Sequence, residues 1–193
     1  LHVRGQYWQL YNVEGQFKEC TGAYGLPEKY EDLYNYDAVV MSDTSPPGKL
    51  EVRQMLNDFV NDGGRLVVLG GPWSLGQGTF PGTMLEKILP FDISKVQTTK
   101  EIIPCDPPLL LGTKPGKPYD DKPTLFWRHQ VPLKQGAEVL AYAGDIPVAA
   151  STKSGKGSVA VFAGTVLGEE KKGELPFWKS KFWPSLLNRM VAQ

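Results

Sequence analysis

Few side chains in this sequence can do chemistry. There are two histidines, His2 and His129, and two cysteines, Cys20 and Cys105. A catalytic hydroxyl needs a base within hydrogen-bond reach, and metal-binding thiols need close spacing. Neither cysteine stands in a C-x-x-C or beside a histidine, so no metal site is expected. They could pair in an oxidising compartment or stand as two buried thiols. His2 falls in a strand-like start, where a lone histidine is mostly structural. His129 follows Phe126-Trp-Arg in a loop before the last strands, from which it could approach Ser74. Ser74 with His129 is thus the nucleophile–base combination to weigh, and Asp43, Glu169 and Glu170 are the carboxylates placed for acid–base work. Asp43, Trp73, Ser74, Trp127, Arg128, His129 and Trp178 are the candidate ligand contacts. The three tryptophans could stack on sugar rings or on a partner, although aromatics in proline-rich loops also close over cores.

Two of these residues, Trp73 and Ser74, lie in one stretch, Arg65 to Pro90, where an apolar run breaks on Gly70-Gly71 and three more glycines follow at 76, 78 and 82. The others stand on loops that could converge with it on one rim. It does not fit a phosphate loop, which needs Lys-Ser/Thr after its last glycine. It does not fit the dinucleotide fingerprint either, because Pro72-Trp73 and Pro81 interrupt it where a long helix should begin. Gly155-Lys156-Gly157 reads as a hairpin turn. No cofactor is therefore expected. A nucleophile elbow (strand, sharp turn with Ser or Cys, helix) suits the spacing better. The turn reads Gly70-Gly71-Pro72-Trp73, without a nucleophile, and Ser74 lies beyond the strained position.

The elements that must hold this turn follow from periodicity. Asp37–Asp43 and Leu66–Leu69 are unbroken apolar runs between polar ends, as strands buried on both faces require. Between them Val52, Met55, Leu56, Phe59 and Val60 make one helical stripe. Ser45 is its candidate cap, Pro46 its first residue, and Gly63-Gly64 its stop. This β-α-β order predicts parallel pairing. Leu1–Arg4 is expected as a strand and Gln6–Cys20 as helical. Thr83–Glu86 fits a capping box. Residues 104–123, with six prolines, are expected as an irregular insertion. Ala137–Ala143, Ile146–Ser151 and Ser158–Ala163, separated by short turns, predict antiparallel hairpins. Trp183, Leu186, Leu187, Met190 and Val191 stripe a last helix. The expected architecture is a three-layer, flavodoxin-like α/β domain: a parallel sheet, helices on both faces, and a C-terminal antiparallel extension.

The 193 residues balance 21 basic against 21 acidic side chains. No basic excess points to nucleic acid, and no apolar run is long enough for membrane insertion as a helix. The start, Leu-His-Val, suggests one domain excised from a longer protein, or a mature chain whose start was removed.

Several segments together resemble the class I glutamine-amidotransferase-like superfamily, nearest its trehalose-utilisation-type branch. They are Leu33…Tyr36-Asp37-Ala-Val-Val40, Phe59-Val-Asn-Asp-Gly-Gly-Arg-Leu-Val-Val-Leu-Gly-Gly71, Gly78-Thr-Phe-Pro-Gly-Thr83 with Ile88-Leu-Pro90, and the stretch from Gly136 to Thr165. The resemblance implies the flavodoxin-like fold, and for active members an elbow cysteine with a late His-x-Glu pair. This chain has neither: His129 is followed by Gln130 and Val131. The expectation is a pseudoenzyme that binds a small molecule, a sugar or a neighbouring domain. A hydrolase of altered chemistry using Ser74, His129 or the carboxylates, and a carbohydrate-binding accessory domain using the tryptophans, are the alternatives.

Overall fold

A computed structural model describes residues 8–11, 17–19, 29–94 and 101–193. Its frame begins with the expected crossover. Strand β3 (Ala38–Ser42) leads through helix α2 (Leu50–Asn61) to β4 (Arg65–Leu69), and the two strands pair in parallel. The stripe on α2 works as its spacing predicts, for Met55, Leu56, Phe59 and Val60 are all buried. The helix starts later than its proline suggested. Lys49 is the residue before it, and Ser45 does not cap it. At its end Gly63 takes φ +126°, which a side chain resists, and a Cβ on Gly64 would overlap the Phe59 ring.

Upstream lie β1 (Trp8–Tyr11), β2 (Phe17–Glu19) and the short helix α1 (Tyr30–Leu33). The helix expected across Gln6–Cys20 is replaced by an antiparallel pair, with β1 also antiparallel to β3. Sheet pairing there overrides a weak helical pattern. The expected strand Leu1–Arg4 and its His2, as well as Cys20, lie outside the described residues.

Helix α3 (Met84–Ile88) follows the glycine loop. Thr83 Oγ1 accepts the Glu86 N–H at 3.4 Å, and Glu86 reaches back to Gly82 N–H at 2.6 Å. Beyond it come β5 (Ile102–Lys114), β6 (Lys117–Pro118) and β7 (Pro123–His129). The proline-rich stretch is therefore extended rather than irregular. Its ladder to β7 shifts register only between Pro104 and Leu109, where successive prolines have no N–H to donate. Next are β8 (Glu138–Ala143), β9 (Ile146–Ser154), β10 (Gly157–Phe162), β11 (Gly164–Thr165) and β12 (Leu175–Pro176). A 3-10 turn at Phe177–Lys179 and helix α4 (Phe182–Ala192) close the chain.

The strands join in one mixed sheet in the order β11-β7-β5-β8-β9-β10-β4-β3-β1-β2, with β12 beside β7 and β6 beside β5. Among the described residues, parallel pairing is confined to β3–β4, β4–β10 and the short β7–β12 contact. This overturns the flavodoxin-like, three-layer parallel expectation. Parallel neighbours need a long crossover, and α2 supplies the one between β3 and β4. From Ile102 to Thr165 the described chain holds no helix, so strand follows strand through short connections and pairing becomes antiparallel. Nor are the late hairpins an extension, because β10 inserts between β9 and β4 as an interior strand.

Alternation along the central strands feeds two cores. Val39, Met41, Leu66, Val68, Val159 and Val161 pack with α2 and α3 on one side. Val40, Val67, Ala160 and Phe162 pack with α4 on the other. All six residues of β10 are buried. No described helix is long and apolar enough to cross a membrane.

Candidate functional site

The register of the parallel trio aligns three strand ends, Phe162 beside Leu69 and Leu69 beside Ser42. The chain leaving each end is stitched to its neighbour. Gly70 N–H donates to Phe162 O at 2.7 Å, and Asp43 N–H to Leu69 O at 3.2 Å. The end of β7 joins the same edge, with His129 N–H bonded to Ala163 O at 2.7 Å. The carboxyl edge of parallel strands is where open α/β sheets bind ligands, and here it gathers Asp43, the glycine turn and His129.

The side chains interlock around that turn. Gly71 N–H donates to His129 Nε2 at 3.1 Å. His129 Nδ1 faces Glu101 Oε1 at 2.9 Å, both side chains being wholly buried. Glu101 Oε2 accepts the Gln77 N–H at 2.7 Å. An imidazole nitrogen that accepts carries no proton, so the ring proton sits on Nδ1 and points at the carboxylate. One buried pair thus ties both ends of the Gly71–Gln77 turn. Close approach demands glycine at each tie. A Cβ on Gly76 would overlap the Glu101 carboxylate, and one on Gly71 would overlap that of Asp43. On Gly70 it would stand 2.5 Å from Gly164 O and 2.9 Å from His129 Cδ2.

Asp43 holds the outer side. Its backbone is left-handed, φ 45°, and its Oδ1 accepts the Trp73 N–H at 2.8 Å. Burial pushes its carboxyl above the ordinary range, against the pull of that N–H bond. Ser45, the supposed helix cap, instead donates its hydroxyl to Trp73 O at 3.2 Å. Trp73 is therefore pinned at both backbone groups while 67% of its surface is exposed. Leu75 and Thr79 also have positive φ, 51° and 62°. Strain of this kind concentrates at functional loops.

The predicted site residues separate accordingly. Asp43, Trp73 and His129 come together, and Ser74 sits within the turn. Its hydroxyl is fully buried and has no hydrogen-bond partner, so the expected Ser74–His129 pair does not form. The reason is that the single acceptor nitrogen of His129 is taken by Gly71. Glu169 is exposed, and Glu170 pairs with Lys179 at 2.5 Å on the surface. Trp178 is half-buried with its ring edge-on to Phe177 at 5.1 Å, packed on the second core. Trp127 and Arg128 lie on β7 opposite β11, half-buried. Of the three tryptophans, Trp73 alone is largely exposed. No group of three or more His, Cys, Asp or Glu is gathered as a metal site among the described residues.

Glu101 was not legible. The sequence pattern that signals a His–Glu pair is short-range, and this carboxylate lies 28 residues before its histidine. The register of β5 against β7 brings them together, placing Ile102 opposite His129.

No protein-family model matches the chain, and no curated protein matches it. Among solved structures it is similar to the cytoplasmic protein STM1381 from Salmonella typhimurium LT2, at 18% identity and TM-score 0.67, over 86% of this chain and 75% of that one. The cytoplasmic protein STM3548 from Salmonella typhimurium is comparable, at 18% identity and TM-score 0.66, over 84% and 75%. At such identities the likeness is one of fold. A β-galactosidase from Bacillus circulans sp. alkalophilus aligns at TM-score 0.48 and 20% identity, over 71% of this chain but 21% of the enzyme, which is too slight to carry an argument.

Proposed function

We propose that this chain is a non-catalytic binding module, whose small ligand or neighbouring domain docks on the carboxyl edge of β3, β4 and β10 around Trp73. The observation that carries this reading is the occupation of the elbow. Gly70 and Gly71 have no room for a nucleophilic side chain. The one described histidine spends its acceptor on a backbone N–H, and Glu101 accepts from Gln77 N–H in the turn with one oxygen and faces His129 Nδ1 with the other. A nucleophile, a free base and a route to the substrate are each worth orders of magnitude in rate. What remains is a rigidly held loop presenting an exposed indole, and aromatic anchors on fixed backbone are what binding surfaces are built from. On this reading the resemblance to the glutamine-amidotransferase-like superfamily marks a related turn that supports binding without the reaction.

The purified chain should release no ammonia from glutamine above buffer, and Ser74→Ala should change nothing in that assay. In a thermal-shift screen of sugars, nucleotides and amino acids, a stabilising compound should lose its effect with Trp73→Ala. Ammonia release that Ser74→Ala abolishes would restore the hydrolase reading. A ligand shift indifferent to Trp73→Ala would move the binding surface elsewhere.

A further inference from the structure

The hydrogen bonds from Gly71 through His129 and Glu101 to Gln77 leave no open lone pair on the imidazole. Gly71 N–H takes the lone pair of Nε2, Nδ1–H donates to Oε1, and Gln77 N–H donates to Oε2. An imidazole has one acceptor nitrogen and no second lone pair on it. Both side chains are wholly buried, so no exposed position offers relief. We infer that the His129–Glu101 pair is a proton-operated latch on the turn that presents Trp73: proton uptake at His129 Nε2 expels the Gly71 N–H and loosens the turn at that residue.

The step is simple in its balance. One proton arrives from solvent and forms the Nε2–H bond, no covalent bond breaks, and the hydrogen bond from Gly71 is lost because two donors then face each other. Glu101, just before β5, stays bonded to Nδ1–H and faces the new positive charge on the ring. Asp43, from the end of β3, is near enough to feel a charge on His129 and adds a second negative group. On β7 itself Arg128 opposes, its guanidinium lying 3.3 Å from His129 O. From β4 the ring meets the backbone at Gly70, where Cδ2 packs. Gln77 keeps its tie to Glu101 and Gly70 its bond to Phe162 O, so the change is centred on the Gly71 amide. Gly71 is two residues from Trp73, whose backbone Asp43 and Ser45 hold, and its release loosens the indole's mount.

The consequence for binding rests on the function proposed above, but the latch is read on the turn itself, so either can fail without the other. The test is nitrogen NMR of the full chain from about pH 8 to about pH 5, the range in which histidines change charge. At the upper end Nε2 should show the shift of an unprotonated acceptor. As it protonates, the Gly71 amide should move with the same midpoint. Its hydrogen exchange, corrected for intrinsic chemistry, should rise about tenfold, the order of one lost hydrogen bond, while Gln77 responds less. His129→Gln can accept from Gly71 but cannot titrate, and should abolish the response. If that variant does not fold, the ring and amide titrations of the unaltered chain decide the matter. The latch is refuted if the ring protonates with the Gly71 amide unmoved, if neither changes before the chain unfolds, or if His129→Gln keeps the response.

Discussion

Asp43 carries two costs at once, a left-handed backbone and a carboxylate drawn out of water. Aspartate and asparagine tolerate that conformation better than other side chains. Its Oδ1 returns a bond to Trp73 N–H, which explains why so constrained a residue stands there. The lifted carboxyl has a thermodynamic sign. A group whose native state holds its proton more tightly than the unfolded chain contributes stability below the ordinary carboxylate range. That contribution is lost as pH rises through the lifted value. Asp43→Asn keeps an acceptor for Trp73 and removes this loss. It should gain stability relative to the parent chain as pH rises from about 4, the unperturbed aspartate value, towards neutrality. Urea denaturation at successive pH values checks this. A constant difference across that range would mean that Asp43 does not titrate as its burial implies.

Among the elements, α2 does most to fix the frame under the site. Phe59 is 2% exposed and lies against Gly64, where the chain turns into β4. Replacing a buried phenylalanine with alanine removes its transfer energy and leaves a cavity. Phe59→Ala should therefore cost about 3–5 kcal/mol in chemical denaturation. Leu50, on the same helix but 59% exposed, should tolerate alanine within about 0.5 kcal/mol. The stripe that distinguishes these residues was readable, because a 3.6-residue repeat is a local property. The start of the helix was not. Ser45 and Pro46 have the right types for a helix start, but Ser45 is recruited by Trp73 O across the edge, and the helix waits until Leu50.

For the molecule as a whole, β10 is the joint between its parallel and antiparallel parts. Each of its residues from Gly157 to Phe162 pairs with β9, and those from Ser158 on also pair with β4. Proline there removes an N–H from an interior ladder and strains its neighbours. Val161→Pro should abolish the folded state, seen as loss of near-ultraviolet circular dichroism and of amide dispersion. Survival of both would show that the two halves fold without this joint.

Much of this architecture was legible from short stretches of chain. The buried strands at Ala38–Ser42 and Arg65–Leu69, the crossover stripe, the hairpin runs after residue 137, the last helix, and an elbow turn without a nucleophile all follow from patterns spanning a few residues. Strand order and the site's central pair are of another kind. One crossover helix resembles the first unit of a parallel sheet, and nothing local says that no second one follows. Trp178 and Trp73 look alike as loop tryptophans, yet one is packed against Phe177 and the other faces solvent. Glu101 meets His129 because two strands with a bulge between them happen to register there. Local sequence decides which segments extend or coil, since that depends on side chains within a turn or two. Which carboxylate reaches which imidazole depends on pairings between distant segments, and those are settled by burial and hydrogen bonding over the whole chain at once.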